Sequence, residues 1–579
     1  MDNQRLLVWA TFGLMAFLSY EAWMQDYGPK PQPVNTVSEA PAALPEALSD
    51  DALPALTDTE APLPSVSDAP SLPAAAEAAT QTPVVRVTTD VLDIEINTRG
   101  GTVQLAKIRK YPVAKDQPDT VITLLSTGRN DLGLIQTGLR NADGGDEANQ
   151  NAMFSAPKTS YTMSGDELVV PLTWRGAGGV VVTKRYRFKR GSYQIDVEQT
   201  VQNGSSSNWR GAQYAQLHRR LYSAERSMFD VDSYSFDGPI IYDGAKSQKL
   251  NHDDLADDGP MRLTAEQGWV AAIQHHFLSA VIPPADATFD YAVALKNEVA
   301  TASLIGRTQT IAPGDEHLFT NTLFVGPKLQ SQLEEITPKL KLTVDYGWLT
   351  IISEPLFWLL SKVFSVVQNW GVAIILVTIL IKLAFYKLTE TSGRSMAKMR
   401  KIQPRMKALQ ERYKDDRQAL SQAMMDLYKR EKVNPAAGCL PILIQMPFFL
   451  AFYWVLLESV EMRQAPFALW ITDLSTRDPY FILPIIMGAA MLGQQKLNPA
   501  PADPMQAKVM QIMPIVFTAF FAFFPAGLVL YWVTNTLLSI AQQWHINKVV
   551  EEEGKHKGSK KKKKQDAAND SDSDSDSDS

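Results

Sequence analysis

Long apolar runs, gathered towards the two ends of the chain, constrain its fold more than any other feature. A transmembrane helix needs about 20 consecutive apolar residues, and the uncharged run 509–544 is too long for a single one. Phe524-Pro525-Ala526-Gly527 interrupts this run, because proline and glycine disfavour a continuous helix. The sequence therefore predicts a polytopic α-helical membrane protein with six spans, in the runs 6–20, 370–386, 436–457 and 480–495 and in the two halves of 509–544.

Lys382 lies inside the second run, and an ionisable side chain there is a candidate for a functional site. Such a residue raises the free energy of membrane insertion by about 3 kcal/mol, so it normally faces a bundle interior or a water-filled cavity rather than lipid. In the alternative interpretation its long side chain extends about one helical turn towards the membrane boundary and has no further role.

The distribution of basic residues predicts the orientation, because Lys and Arg accumulate in short cytoplasmic loops. No Lys or Arg occurs between Lys30 and Arg86, whereas residues 387–432 include 13 basic and 6 acidic residues. With six spans, both termini and the 389–434 segment lie in the cytoplasm, and the region after the first span lies outside. Residues 1–27 contain no convincing signal-peptidase site, so they are predicted to form an uncleaved membrane anchor.

Two polar regions follow the anchor. Residues 28–82 are rich in Pro, Ala, Ser and acidic residues without hydrophobic periodicity, which predicts a disordered tether. Residues 83–345 alternate apolar and polar positions in segments such as 91–97 and 180–188, with glycine-rich turns between such segments. This pattern predicts a large all-β domain, an antiparallel sandwich.

No catalytic or metal-binding group stands out in this β domain. His275 and His276 are adjacent, and on a strand they would point to opposite faces. The single cysteine, Cys439, lies in a predicted span, so the domain has no disulfide. An anchored enzyme acting on sugars would need clustered acids, bases or ligands here, and a secondary transporter would need internally repeated halves; the sequence displays neither.

The region 346–388 is predicted to hold an interfacial helix followed by the second span. Residues 354–367 mix apolar and aromatic residues with serines and a lysine, a pattern typical of an amphipathic helix in the membrane interface. A plain N-terminal extension of the second span explains the composition equally well.

The segment 389–434 is predicted to form a cytoplasmic helical hairpin. Apolar residues recur at three- and four-residue spacing in two runs, and the arms would fold back near Asp415-Asp416. The apolar stripe would pair the two arms, while Met399, Arg400 and Arg405 are candidates for contact with a partner or with anionic lipid.

Several segments resemble the signatures of the YidC family of bacterial membrane protein insertases. They are Ser395-Met-Ala-Lys-Met-Arg400, Glu431-Lys-Val-Asn-Pro435, Gly438-Cys-Leu-Pro441, Gln445-Met-Pro447, Arg463-Gln-Ala-Pro-Phe-Ala-Leu-Trp470 and Gly527-Leu-Val-Leu-Tyr-Trp532. The resemblance covers essentially all of 345–548, with spans three to six of the insertase core in 435–548. The β domain is similar to the periplasmic β-supersandwich of Gram-negative members, chiefly in position and strand content.

This resemblance implies a multi-pass protein of the bacterial inner membrane, not an enzyme and without a cofactor. It would insert nascent membrane proteins and help them fold, alone or with the Sec translocon. The implied partners are nascent membrane proteins, the ribosome, membrane lipids and the translocon, including SecYEG and SecDF. A positive charge in a hydrophilic intramembrane groove lowers the free energy of bringing polar segments into the bilayer.

Helical spacing and family position suggest which residues line such a groove: Lys382, Thr378, Gln445, Tyr531, Trp532 and Asn535. Gln445 and Asn535 would equally well hydrogen-bond neighbouring helices to one another, and a packing role for the two aromatic residues is similarly credible. At the position of Lys382 the family usually has arginine; lysine keeps the charge but loses the planar five-donor fork.

The tail 549–579 adds a second contact candidate. Lys560, Lys561, Lys562, Lys563 and Lys564 would bind ribosomal RNA or anionic lipid, or serve only to set the topology. The following Ser-Asp repeat is acidic and would compete with RNA for these lysines. The fourth and fifth spans are short, which would thin the bilayer around them.

Overall fold

The computed structural model describes residues 83–144, 147–221, 236–337, 339–413, 416–431, 433, 440–497 and 504–573. The predicted anchor 1–27 and the tether 28–82 lie outside the described residues. Within these ranges the chain divides into a β domain, which with its exit helix ends near residue 336, and a helical region after it.

Two sheets form the β domain, as the alternating sequence predicts. The eleven-stranded sheet follows the order β13-β16-β17-β10-β5-β3-β2-β1-β6, with β18 beside β10 and β4 beside β3, and the eight-stranded sheet follows β12-β11-β14-β15-β19-β9-β8-β7. Neighbouring strands are antiparallel except for β1 and β6. The strands are β1 Val84–Thr88, β2 Leu92–Asn97, β3 Thr102–Pro112, β4 Val121–Leu125, β5 Gly133–Asn141, β6 Ser160–Thr162, β7 Glu167–Arg175, β8 Val180–Lys189, β9 Gln194–Asn203, β10 Trp209–Arg220, β11 Asp237–Tyr242, β12 Ser247–Lys249, β13 Met261–Glu266, β14 Trp269–Gln274, β15 Phe277–Ile282, β16 Thr288–Lys296, β17 Val299–Gly306, β18 Gln309–Ile311 and β19 Glu316–Pro327.

Period-two burial builds the core between the sheets. In β8 every second residue is buried, from Val180 to Phe188. Among the buried residues of β8 only Lys184 is not apolar. It is fully buried and donates to the backbone carbonyls of Gly100 (2.8 Å) and Thr137. Gly100 and Gly101 have φ of +72° and +65°, which favours glycine, and a Cβ on Gly101 would lie 3.0 Å from Lys184 Cδ. The turn between β2 and β3 is therefore shaped around the lysine.

The expectation that His275 and His276 lie on a strand is wrong. They form the two-residue turn between β14 and β15, and His275 has φ of +49°. Because the chain reverses there, the two rings stack with centroids 3.7 Å apart instead of pointing to opposite faces.

The described residues also include ten α-helices. Only the first two belong to the β domain and its exit, and the other eight form the helical region. The helices are α1 His252–Asp257, α2 Gln330–Ile336, α3 Thr350–Val367, α4 Trp370–Ala384, α5 Tyr386–Arg412, α6 Arg417–Arg430, α7 Leu440–Glu458, α8 Ile482–Leu497, α9 Pro504–Phe521 and α10 Ala526–Ser573.

A break separates α3 from α4, so residues 354–367 and the second span do not form one continuous helix. Gln368 adopts the left-handed conformation at φ +55° and ends α3, and the Asn369 side chain accepts from Val372 N at 3.0 Å to begin α4. Together with the preceding turn, α3 forms Gly347–Val367, the one described helix that by itself is long and apolar enough to cross a membrane.

A second break follows Lys382 closely. Helix α4 ends at Ala384, and α5 departs at an angle of 71°. Helices α4 and α5 are long and apolar enough for a span only when taken together. The segments Gln445–Glu458 of α7 and Lys508–Phe521 of α9 are apolar but shorter. Lys382 thus lies in the last turn of α4, close to the bend. The continuous apolar run in the sequence gives no sign of this bend.

Helices α5 and α6 pack against each other along the apolar stripe that the sequence contains. Ile402 and Met406 of α5 are buried with Met424 and Tyr428 of α6. The first half of α5 also packs on α10, where Ala397 joins Ile546 and Val550 in a second cluster. We call α5 and α6 the two-helix arm.

Candidate functional site

Lys382 meets α10 through a hydrogen bond. Its ammonium donates to Ser539 Oγ at 2.7 Å, and the lysine side chain is half-buried. Lys382 lies about 18 Å along α4 and Ser539 about 20 Å along α10, at 1.5 Å per residue. The N-terminal ends of both helices contact the 459–481 loop, because Asn369 Nδ2 and Ala526 N each donate to a carbonyl of that loop. The two side chains therefore meet at a common depth.

Polar side chains continue from this contact across α10 to α7. Ser539 Oγ donates to the carbonyl oxygen of Asn535 at 2.7 Å, and Asn535 Nδ2 donates to Gln445 Oε1 at 3.3 Å. The structure thus brings together Lys382, Asn535 and Gln445 of the predicted groove residues. We call these three residues and Ser539 the polar track.

Ser539 is the member of the polar track that sequence reasoning missed. It lies four residues after Asn535 and eight after Tyr531, so the same helical spacing that selects those two would have selected it. One turn further, Gln542 Nε2 donates to Thr389 Oγ1 of α5 at 2.7 Å, and Gln543 Nε2 donates to the Gly393 carbonyl at 3.3 Å. Polar contacts therefore extend along α10 up to the two-helix arm.

Thr378 does not join the track. Its side chain is buried, and its hydroxyl donates to the Ile374 carbonyl of its own helix at 2.6 Å. The hydroxyl is thereby satisfied within α4, one turn before Lys382.

Tyr531 and Trp532 lie in an aromatic cluster beside the track. The Tyr531 ring is buried and stacks on Phe452 at 4.3 Å, and Trp532 makes an edge contact with Phe449 at 4.8 Å and lies 5.3 Å from Phe521. This geometry favours the packing interpretation for both residues. They join α7, α9 and α10 next to the polar groups.

The arm residues differ in their surroundings. Met399 packs against the α5–α6 cluster, whereas Arg400 is exposed and Arg405, also exposed, pairs with Glu431 at 2.6 Å. Arg400 therefore presents its charge to the surroundings. The side chains of Lys560, Lys561, Lys562, Lys563 and Lys564 lie outside the described residues.

The β domain offers no comparable site within the described ranges, where no group of three or more His, Cys, Asp or Glu side chains is arranged to hold a metal ion. Its buried cation Lys184 is enclosed by the fold. The polar track is therefore the candidate functional site.

Comparison with known proteins links the chain to proteins of membrane insertion. Residues 84–359 match the family model for the YidC periplasmic domain, and residues 362–553 match that for the 60Kd inner membrane protein. The membrane protein insertase YidC of Nitrosococcus oceani is 47% identical over 564 residues, covering 96% of this chain and 100% of the relative. That of Thioalkalivibrio sulfidiphilus is 48% identical over 568 residues, with the same shares covered. A crystal structure of an active YidC insertase, with its first transmembrane domain resolved, covers 79% of this chain and 93% of that one at 18% identity and a TM-score of 0.36.

Proposed function

The chain belongs to the YidC family of membrane protein insertases, and we propose that it inserts its substrates through a groove built on the polar track. Membership makes it an inner-membrane insertase with a periplasmic domain, whose substrates are nascent membrane proteins. The groove, the number of spans and the remaining partners are parts of the proposal.

The observation that carries the groove is the incompletely satisfied charge of Lys382. An ammonium has three donors, and among the described residues Lys382 donates to one acceptor, Ser539 Oγ. The remaining donors can hold an acidic or polar group of a passing substrate. In a medium of low dielectric constant this attraction is far stronger than in water, so it lowers the barrier to bringing a short polar segment into the bilayer.

Hydrophobic partition then completes insertion. Once the polar segment has crossed, the apolar segment of the substrate moves from the groove into lipid, driven by removal of its surface from water. The exposed apolar side chains of α9, such as Ile512, Ile515 and Phe520, supply a lipid-facing surface beside the site. No nucleotide is needed for this sequence of events.

The proposed topology has six spans, and it places both termini and the two-helix arm in the cytoplasm. Its support is the excess of basic over acidic residues in 387–432. Arg400 and Arg405, together with the lysines at 560–564, are the proposed contacts for the ribosome or for anionic lipid. Cooperation with the Sec translocon, including SecYEG and SecDF, is proposed from family membership.

The test is insertion of a short single-span protein with an acidic outer segment into liposomes that contain only this purified chain, scored by protease protection of the translocated end. We expect protection with the wild type, retention with Lys382→Arg, and a reduction of at least tenfold with Lys382→Ala. Lys362→Ala, which removes an exposed lysine of α3, is the matched control and should insert normally. Full protection with Lys382→Ala would reject the role of the charge.

A further inference from the structure

A polar interface joins the β domain to the helical region. On the β-domain side it is formed by Lys328 and Gln330, and on the helical side by Glu458, Glu461 and Arg463; we call these five residues the seam. Lys328 Nζ pairs with Glu458 Oε2 at 2.9 Å, and both side chains are almost fully buried. Arg463 donates to the carbonyls of β3 and of the residue after it, each at 3.0 Å.

Glu461 is the unusual member of the seam. Its Oε1 accepts from Gln330 N at 3.2 Å, so a residue of the helical region satisfies a free amide at the start of α2 in the β domain. Its Oε2 is enclosed and has no hydrogen-bond partner among the described residues. A charged carboxylate with an enclosed and unpartnered oxygen is unfavourable, whereas a neutral carboxyl is tolerated there far better.

The charged and titratable groups around Glu461 compensate its charge only in part, because the lowering of its pKa by Lys328 is smaller than the raising by burial. Lys328 is already paired with Glu458. Burial raises the pKa of Tyr111 on β3 to about 12 and also raises that of Tyr346, so both phenols are neutral.

The other neighbouring groups are basic residues. The pKa of His276 lies well below its usual range because of burial, with His275, Lys328 and Arg463 adding to the effect, so this ring is neutral. His275 Nε2 contacts the Leu457 carbonyl at 3.0 Å. Arg463 donates to backbone carbonyls and lies over the Phe277 ring at 5.6 Å.

We propose that the seam is a protonation-dependent joint, in which a neutral Glu461 holds the β domain on the helical region and its ionisation loosens that attachment. Inter-domain interfaces with buried charges are separable, because each charged group regains its hydration on separation. The pH of the periplasm would thereby set how firmly the β domain is held. This inference does not depend on the groove proposed above.

The pH window follows from the sign of the shift. Burial raises the pKa of Glu461 from 4.5 to about 7. A carboxyl whose pKa is raised in the attached state favours attachment at low pH. This contribution is complete below about pH 4.5, falls as the pH rises through about 7 and is absent above that.

The experiment is hydrogen exchange of the full-length protein in lipid nanodiscs at pH 5.5 and 8.5, corrected for the intrinsic pH dependence of exchange. We expect amides of α2 and of residues 459–464 to exchange about tenfold faster at pH 8.5 than at pH 5.5. Amides of β8, in the sandwich core, should lose no protection at pH 8.5, because the domain itself stays folded.

Two variants isolate the carboxyl. Glu461→Gln keeps the shape but cannot ionise, so its exchange at the seam should be independent of pH. Glu334→Gln, which changes an exposed carboxyl of α2, should keep the pH dependence of the wild type. Equal exchange of wild-type seam amides at the two pH values would overturn the proposal. A pH effect that persists in Glu461→Gln, or a parallel loss of protection in β8, would overturn it as well.

Discussion

Lys184 in the β domain and Lys382 in the helical region are both withdrawn from bulk water, but their ammonium groups have different surroundings. Lys184 is fully buried; it donates to the carbonyls of Gly100 and Thr137 and lies 5.0 Å from the centre of the Phe154 ring. No acidic side chain among the described residues pairs with it. Its charge is directed to fixed backbone dipoles, and this joins the two sheets.

Lys382 is half-buried, and Ser539 Oγ is the hydrogen-bond acceptor that the described part of the chain offers it. Its donors are therefore not all engaged by the fold. The comparison teaches that depth of burial alone does not identify a functional charge. A lysine enclosed with its donors directed to carbonyls and an aromatic ring is structural, whereas one with most of its donors unused can act on something that enters from outside.

The largest effect that separates the two lysines should be on stability. Lys184→Ala leaves the Gly100 and Thr137 carbonyls without their donor and opens a cavity, so the β domain should lose about 3 kcal/mol of unfolding free energy. This loss is measured by denaturant unfolding of the full chain, with hydrogen exchange of the β8 amides as the readout. Lys189→Ala, at the exposed end of the same strand, is the control. A loss below about 1 kcal/mol would show that Lys184 does not hold the sheets together.

The next effect concerns substrate charge. In Lys382→Ala, the insertion rate of a substrate with an acidic outer segment should fall at least tenfold, which corresponds to about 1.4 kcal/mol of activation free energy. A matched substrate with a neutral segment should lose less than threefold. The comparison of initial rates for the two substrates measures the attraction by the ammonium. Equal losses would indicate that Lys382 acts through packing and not through charge.

A smaller effect is expected from pH. Burial lowers the pKa of Lys184 from 10.5 to about 7. Between these values the unfolded chain binds one proton more than the folded domain, so stability rises with pH in this window and is lowest below about pH 7. We expect the free energy of unfolding, measured with denaturant, to rise by about 1 kcal/mol between pH 7 and 9. The Lys184→Met variant should show no such rise. A stability that falls over this window in the wild type but not in Lys184→Met would contradict this assignment.

The smallest effect should come from Ser539. Ser539→Ala removes the acceptor that positions the Lys382 ammonium, so insertion of the acidic substrate should fall about threefold, and Ser539→Thr, which retains the hydroxyl, should restore it. In a Lys382→Arg background the longer guanidinium, with five donors, should make insertion insensitive to Ser539→Ala. An equal loss in both backgrounds would mean that Ser539 only packs.

Much of the fold followed from local pattern. Period-two alternation predicted the all-β domain, which the structure confirms, and Phe524-Pro525-Ala526-Gly527 predicted the interruption between α9 and α10. The seam between the β domain and the helices was not predictable in this way. Lys328 and Glu458 are 130 residues apart, and no periodicity links positions so distant.

The candidate site was predicted in part. Lys382, Gln445 and Asn535 stand out because each is a polar residue in an apolar run, and the structure joins them through Ser539. Thr378 shares the helical face of Lys382, but its hydroxyl is satisfied within its own helix. The sequence positions of Tyr531 and Trp532 did not show whether the two rings line a groove or pack between helices. The outcome depends on the aromatic rings of α7 and α9 that lie beside them.

By itself the sequence determined which segments are apolar, where helices must break and where basic residues accumulate, because these properties depend on neighbours within a few residues. Only the tertiary structure decided which charges are saturated. Gly100 reaches Lys184 from the turn between β2 and β3, Thr137 reaches it from β5, and Ser539 reaches Lys382 from another helix. The number of acceptors around a buried ammonium is set by chain segments far apart in sequence, and that number separates the structural lysine from the proposed functional one.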